Sequence, residues 1–153
     1  MLERTLILLK PDAVARQLVG RILARFEDKG LQIAAARFMK IPRDLAEKHY
    51  AVHKGKPFYG PLLEYITSGP VLVLVLQANG AIAMARKLMG ATFGCEAEPG
   101  TIRGDFGASR SFNLVHGSDS PESAEYEIAL YFSEDEILDY ELPAHHWIAG
   151  REE

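Results

Sequence analysis

The sequence predicts an α/β sandwich built on a ferredoxin-like, four-stranded antiparallel sheet (βαββαβ), with added helices and one long loop. Three observations predict it. Short apolar runs rich in β-branched residues alternate with amphipathic helical stretches, the mark of sheet and helix layered together. The run at 71–76 is apolar without interruption, as expected of a strand covered on both faces. A chain of 153 residues, 48% hydrophobic and 25% charged, has the size and composition of one domain, 1–153, with a sizeable core.

Taken in order, residues 4–9 (RTLILL) read as a buried strand that ends in a turn at Lys10-Pro11-Asp12. Val19, Ile22, Leu23 and Phe26 repeat at helical spacing, and Gly30 supplies a C-terminal stop. Residues 31–41 form a second strand ending at Pro42. Residues 44–53 form a helix with Leu45, His49 and Val52 on one side, and 58–67 a short helix after Pro57. The third strand spans 71–77. Ile82, Ala85 and Leu88 mark a helix ending near Gly90. Between 91 and 110 no period is sustained, and a loop of roughly twenty residues in so small a domain is commonly functional. Residues 111–115 are the fourth strand. Ser120-Pro121 is a strong helix start, Ser as N-cap and Pro at the first position, for a helix reaching about Phe132; the rest reads as tail.

A net charge of −4 argues against a protein that coats nucleic acid, because phosphate neutralisation supplies most of that affinity. The single cysteine, Cys95, gives no internal disulfide. The N-terminal apolar run, flanked by Glu3 and Arg4 and cut by Lys10, does not read as a signal peptide, and no run is long enough to span a bilayer. A cytoplasmic location is expected. Asp105-Phe106-Gly107 matches a protein-kinase triplet without the rest of that signature, and Arg103-Gly104-Asp105 matches an adhesion tripeptide. His49 and His53 share an i, i+4 spacing but lack a zincin glutamate and an evident third ligand, so no metal site is expected in the protein. There is no phosphate loop of the GxxxxGK[ST] type.

The chemistry concentrates in Asn113-Leu-Val-His116-Gly117-Ser118-Asp119-Ser120. His116 closes a predicted strand just before a capped helix, where free N–H groups and the helix dipole attract anions. On spacing alone, a turn histidine beside an N-cap is the favoured reading. Glu127 lies at the border of that helix's apolar face, where its carboxylate could reach an imidazole and fix its tautomer; its bland alternative is a solvated helix residue. Lys10, Arg86, Arg103 and Arg110 stand at element ends, where they could converge on an anion. Asn113 and His116 are three positions apart, so a regular strand would face them oppositely, and one shared site requires the strand to end or twist between them.

Beyond these readings, the sequence resembles nucleoside diphosphate kinases over nearly its whole length. The resemblance is carried by Glu3-Arg4-Thr5-Leu6, Lys10-Pro11-Asp12-Ala13-Val14, Gly69-Pro70-Val71, Gly100-Thr-Ile-Arg-Gly-Asp-Phe106 and Asn113 to Ser120. It implies a ping-pong reaction in which a nucleoside triphosphate, typically ATP, gives its γ-phosphate to His116, and the phosphohistidine passes it to a nucleoside diphosphate. By position, Glu127 and Ser118 would orient the His116 ring. Lys10, Tyr50, Arg86, Thr92 and Arg103 would hold the phosphates, with Lys10 and Asn113 also on the sugar hydroxyls. Phe58 would stack on the base with Leu62 beside it, giving low base selectivity. Mg²⁺ would ride on the phosphates, with Asp119 reaching it through water. The resemblance also implies a homo-oligomer, a hexamer favoured over a tetramer, with a tail through Tyr140, Trp147 and Ile148.

Three departures stand out: Phe93-Gly94-Cys95 follows Thr92 in place of Asn-Pro, Arg110 replaces an apolar cover for the base, and Ser111-Phe112 replaces Gly-Arg before Asn113. Attack requires a neutral imidazole, so activity is expected to fall on the acid side within roughly pH 5–8. Two other readings compete: a non-catalytic nucleotide-binding module of the same fold, and an RNA-binding ferredoxin-like domain. The latter lacks a strand with paired exposed aromatics.

Overall fold

The computed structural model describes residues 2–150. Four strands, β1 (Leu2–Leu9), β2 (Gln32–Lys40), β3 (Pro70–Asn79) and β4 (Val115–Gly117), form one sheet in the order β2-β3-β1-β4. Every neighbouring pair is antiparallel. β3 lies alongside the whole of β1, from Leu2 opposite Asn79 to Leu9 opposite Leu72, and this central pair anchors the site. This is the ferredoxin-like order, and it follows from the alternation of apolar runs and helices in the chain.

The helices are α1 (Pro11–Ala15), α2 (Val19–Lys29), α3 (Arg43–His49), α4 (Tyr59–Thr67), α5 (Ala81–Met89), α6 (Ile102–Phe106), α7 (Pro121–Tyr131) and α8 (His145–Ile148). Alternation of side chains along β1 and β3 divides the core between the two faces of the sheet. Ile7, Leu9, Leu74 and Leu76 pack with Ile22 and Phe26 of α2 and Ala85 and Met89 of α5. Leu6, Leu8, Val71, Val73 and Val75 pack with Leu63 and Ile66 of α4 and Tyr131 of α7. The unbroken run of β3 is therefore covered on both faces, as its sequence requires.

The boundaries carry several corrections. β1 begins at Leu2, and the expected turn at Lys10-Pro11-Asp12 opens α1, because Pro11 occupies the first helical position, where a missing N–H costs nothing. Gly30, at φ +102°, ends α2 as expected. The helix expected over 44–53 stops at His49. A 3-10 turn at Ala51–His53 follows and leaves Val52 exposed rather than aligned with Leu45.

The segment without pattern at 91–110 contains α6, capped by the Thr101 hydroxyl, which accepts the Gly104 N–H. The fourth strand is Val115–Gly117, not 111–115. α7 starts on the Ser120 cap, whose hydroxyl accepts the Ser123 N–H. Part of the expected tail is ordered along β2: the Leu138 N–H donates to the Ala34 carbonyl and the Tyr140 hydroxyl to that of Ile33.

Candidate phosphotransfer site

The site is built where β4, the turn before it and α7 meet the ends of β1 and α3. Leu114 has φ +70°, and the Val115 N–H donates to the Asn113 carbonyl at 2.7 Å, so Leu114 is the centre of a γ-turn. A left-handed leucine costs of order 1–3 kcal/mol and persists only where its surroundings fix it. Here the Lys10 N–H donates to the Leu114 carbonyl at 2.8 Å, the Leu114 N–H donates to Asp12 Oδ2 at 3.2 Å, and the leucine side chain is fully buried. This turn settles the question of facing. The strand begins only after Asn113, so Asn113 joins Lys10 while His116 points toward α3 and α7.

His116 is the hub. Its Nε2 lies 3.0 Å from Glu127 Oε1 and 3.1 Å from His49 Nε2, while its Nδ1 has no partner among the described residues. The Ser118 hydroxyl donates to the same Glu127 oxygen at 2.7 Å and accepts the Leu6 N–H at 3.2 Å. Next to His116, Gly117 is closely packed: a Cβ there would meet Met89 Sδ of α5 at 2.6 Å, so that side chain would have to shift.

Burial, followed by the neighbouring His49, lowers His116 from the usual imidazole range to about 4, against the raising effect of Glu127. Burial alone would push the Glu127 carboxyl up, but the hydrogen bonds from His116 and His49 outweigh it and hold the group well below the carboxylate range. The pair is therefore a neutral imidazole on an ionised carboxylate. Desolvation of this ring moves the expected acid limb toward 4, below the roughly pH 5–8 window read from the sequence.

Lys10 is buried and donates to Asn113 Oδ1 at 2.8 Å, and the Asn113 amide in turn donates to the Thr92 carbonyl at 3.0 Å. Burial, then the charge of Arg103, brings Lys10 down to about 7, with Asp12 opposing. Arg103 donates to the carbonyls of Asn113 at 3.1 Å, Gly90 at 3.0 Å and Val115 at 2.6 Å, tying the loop to β4. Burial and the charge of Arg86 lower its pKa to about 10. Arg86 is exposed on α5 and reaches the Gly117 carbonyl at 3.3 Å.

Tyr50 is buried, its ring centre is 6.0 Å from that of His116, and its hydroxyl has no hydrogen-bond partner among the described residues. Rings then lead outward from Tyr50 to His53 at 6.3 Å and from His53 to the exposed Phe58 at 5.1 Å. Leu62 is half-buried against the core of that face. Arg110 stacks over Phe93 at 4.4 Å and its charge is paired with Glu96 at 3.0 Å.

Hydrogen bonds thus tie Asn113, Lys10, Thr92, Arg103 and Arg86 to one another or to the backbone of β4, while ring contacts lead from Tyr50 to Phe58. His49 was not singled out by the sequence except as a partner for His53. The chain breaks after α3, so His49 turns inward to His116 while His53 lies outside, 3.4 Å from Lys56. Ligand atoms of His49, His116 and Glu127 lie within 4.8 Å of one another, and the His116–Glu127 contact among them is a hydrogen bond.

Cationic and polar donors beside a carboxylate-backed histidine are what phosphoryl transfer asks of a protein, and comparisons with known proteins agree. The family model "Nucleoside diphosphate kinase" matches residues 3–137. The chain belongs to the nucleoside diphosphate kinase family. It is 54% identical over 149 residues to a nucleoside diphosphate kinase of Thermomicrobium roseum, covering 97% of this chain and all of that one. With the Staphylococcus epidermidis enzyme it shares 50% over 147 residues, covering 96% and 99%.

Among solved structures, the Halobacterium salinarum enzyme in complex with CDP superposes with a TM-score of 0.93 at 47% identity, covering 95% of this chain and 97% of that one. A family member from Babesia bovis gives 0.92 at 44%, covering 95% and 99%. The chain is accordingly an enzyme that moves the γ-phosphate of a nucleoside triphosphate to a nucleoside diphosphate, which sets aside the non-catalytic and RNA-binding readings. No helix among the described residues is long and apolar enough to cross a membrane.

Proposed function

We propose that the reaction runs through a phosphohistidine on His116 Nδ1. The observation that carries this reading is the 3.0 Å contact between His116 Nε2 and an ionised Glu127, which keeps the proton on Nε2 and leaves the Nδ1 lone pair free. In the first half-reaction the Nδ1–Pγ bond forms as the bond from Pγ to the β-γ bridging oxygen breaks. The nucleoside diphosphate leaves with that electron pair. The second half-reaction reverses these steps onto another nucleoside diphosphate. Glu127 offsets the positive charge that develops on the ring, and Ser118 holds Glu127.

Lys10, Arg86, Thr92, Arg103 and Tyr50 hold the phosphates, Lys10 and Asn113 the sugar hydroxyls, and Phe58 stacks on the base with Leu62 beside it. The orphaned, buried Tyr50 hydroxyl supports this assignment, since a phosphate oxygen would give it the partner it lacks. The CDP bound in the Halobacterium salinarum relative supports a nucleoside diphosphate ligand.

Mg²⁺ fits as a companion of the phosphates: the group of three ligating residues found among the described residues is rich in nitrogen, whereas Mg²⁺ takes oxygens and keeps its waters. Exposed Asp119 would face such waters. When bound, the ion neutralises charge on the phosphates. Large exposed apolar side chains on β2 (Phe38) and the tail (Tyr140, Trp147, Ile148) support a homo-oligomer, with a hexamer favoured, and we place the enzyme in the cytoplasm.

The test is to incubate the protein with Mg²⁺ and γ-labelled ATP and isolate it. Acid-labile, alkali-stable label that chases onto GDP or CDP and is lost in His116→Ala is expected. Absence of label with nucleotide still bound would refute the phosphohistidine.

A further inference from the structure

We propose that His49 is a second positioning residue of the site: it holds the far oxygen of Glu127, so that the near oxygen stays in line for the His116 Nε2–H. The proposal rests on His116 being the phosphoryl acceptor.

It starts from the protons of a buried network. The Tyr131 hydroxyl has one partner among the described residues, His49 Nδ1 at 2.7 Å, and Tyr131 is buried. Burial, then the negative charge of Glu127, raises the Tyr131 pKa above its usual value, so the hydroxyl keeps its proton. Were His49 to carry its own proton on Nδ1, the Tyr131 proton would be left without an acceptor, which a buried donor does not tolerate cheaply. Tyr131 therefore donates to Nδ1, and the His49 proton sits on Nε2.

That Nε2 lies 3.5 Å from Glu127 Oε2 and 3.1 Å from His116 Nε2. Donation to His116 would require a bare His116 Nε2 facing an ionised carboxylate at 3.0 Å, lone pair against charge. The Glu127 oxygen is the acceptor that remains. His49 is itself held by stacking on Tyr50, with ring centres 4.4 Å apart and planes 12° from parallel.

The carboxylate is then fixed at both oxygens, by His116 and Ser118 on Oε1 and by His49 on Oε2. Without the far donor, Glu127 is free to rotate away from His116, and small misplacements of a catalytic group are costly. His49 contacts no reacting atom, so its loss should lower kcat and spare KM.

Two polar variants separate this role from simple filling of space. Asparagine places its amide near the Nδ1 position and keeps the Tyr131 contact, whereas glutamine reaches the Nε2 position and keeps a donor for Glu127. His49→Asn is expected to lower kcat about tenfold to a hundredfold with KM within about twofold, and His49→Gln to recover most of the loss. In a ¹H–¹⁵N spectrum, the His116 Nε2–H resonance should move upfield in the Asn variant, as its bond to Glu127 lengthens, and return in the Gln variant.

Equal losses in the two variants with that resonance unmoved, or an unchanged kcat in His49→Asn, would overturn the proposal. Should His49→Asn fail to fold, Tyr131→Phe frees the His49 proton without emptying its place. A lower kcat and a shifted resonance are expected, and no change in either overturns the proposal. Label retained by His116→Ala would instead sink the acceptor reading, whatever the His49 variants do.

Discussion

Replacing Glu127 by Gln removes one charge and keeps an oxygen for His116 and Ser118, while an NH2 donor takes the place of the oxygen that faces His49. A full positive charge on the imidazole about 4 Å from the carboxylate, at an effective dielectric of 20, gains about 4 kcal/mol. With roughly half that charge developed in the transition state, the loss is about 2 kcal/mol, or about thirtyfold in the rate of enzyme phosphorylation. Glu127 is buried behind His116 and is not assigned to the phosphates, so nucleotide KM should hardly move. Rapid-quench phosphorylation with labelled ATP, beside steady-state kinetics, measures both. Because Glu127 raises the His116 pKa, the variant's ring should titrate below the wild type's value of about 4. A loss under about threefold, or one confined to KM, would refute the charge argument.

Further expectations follow from neighbouring groups. Lys10 has a pKa near 7 in the free enzyme, and its charged form binds phosphate. Nucleotide affinity should therefore be full below about pH 7 and decline as pH rises from there toward the bound-state pKa, with proton uptake near pH 8 seen by calorimetry in buffers of different ionisation enthalpy. On the acid side, kcat/KM should hold to about pH 5 and halve near 4, where the lowered His116 pKa of the free enzyme lies; a midpoint near 6.5 in its pH profile would contradict that lowering. Tyr50→Phe removes an orphaned hydroxyl, so thermal stability should hold or rise while nucleotide KM increases about threefold to tenfold. Arg103→Ala strands the Gly90 and Val115 carbonyls and removes one of two donors to that of Asn113, and should cost about 2–3 kcal/mol in denaturant unfolding, besides weakening nucleotide binding.

The sheet was legible because its strands are long apolar runs with turn signals between them, and α2 and α7 because their caps and periods agree. α6 was hidden: five residues are too few to show a period, and only Thr101 as cap marks its start. β4 was placed four residues early at its start and two at its end, because Phe112 and Leu114 imitate strand alternation. Phe112 is in fact exposed and packs edge-on against Tyr65 at 5.2 Å, while Leu114 turns left-handed under the grip of Lys10 and Asp12. Of the site, motif strings carried His116, Lys10, Asn113 and Arg103. Spacing could not carry His49, whose role depends on a helix break after it and on Tyr131, distant in sequence.

The central claim, a phosphoryl group on one defined nitrogen, is tested most directly by ³¹P NMR of the intact phosphoenzyme with ¹⁵N-labelled histidine rings. Coupling of phosphorus to His116 Nδ1, absent in His116→Ala, is the predicted result. Phosphorus on Nε2, or on a residue other than His116, would contradict it.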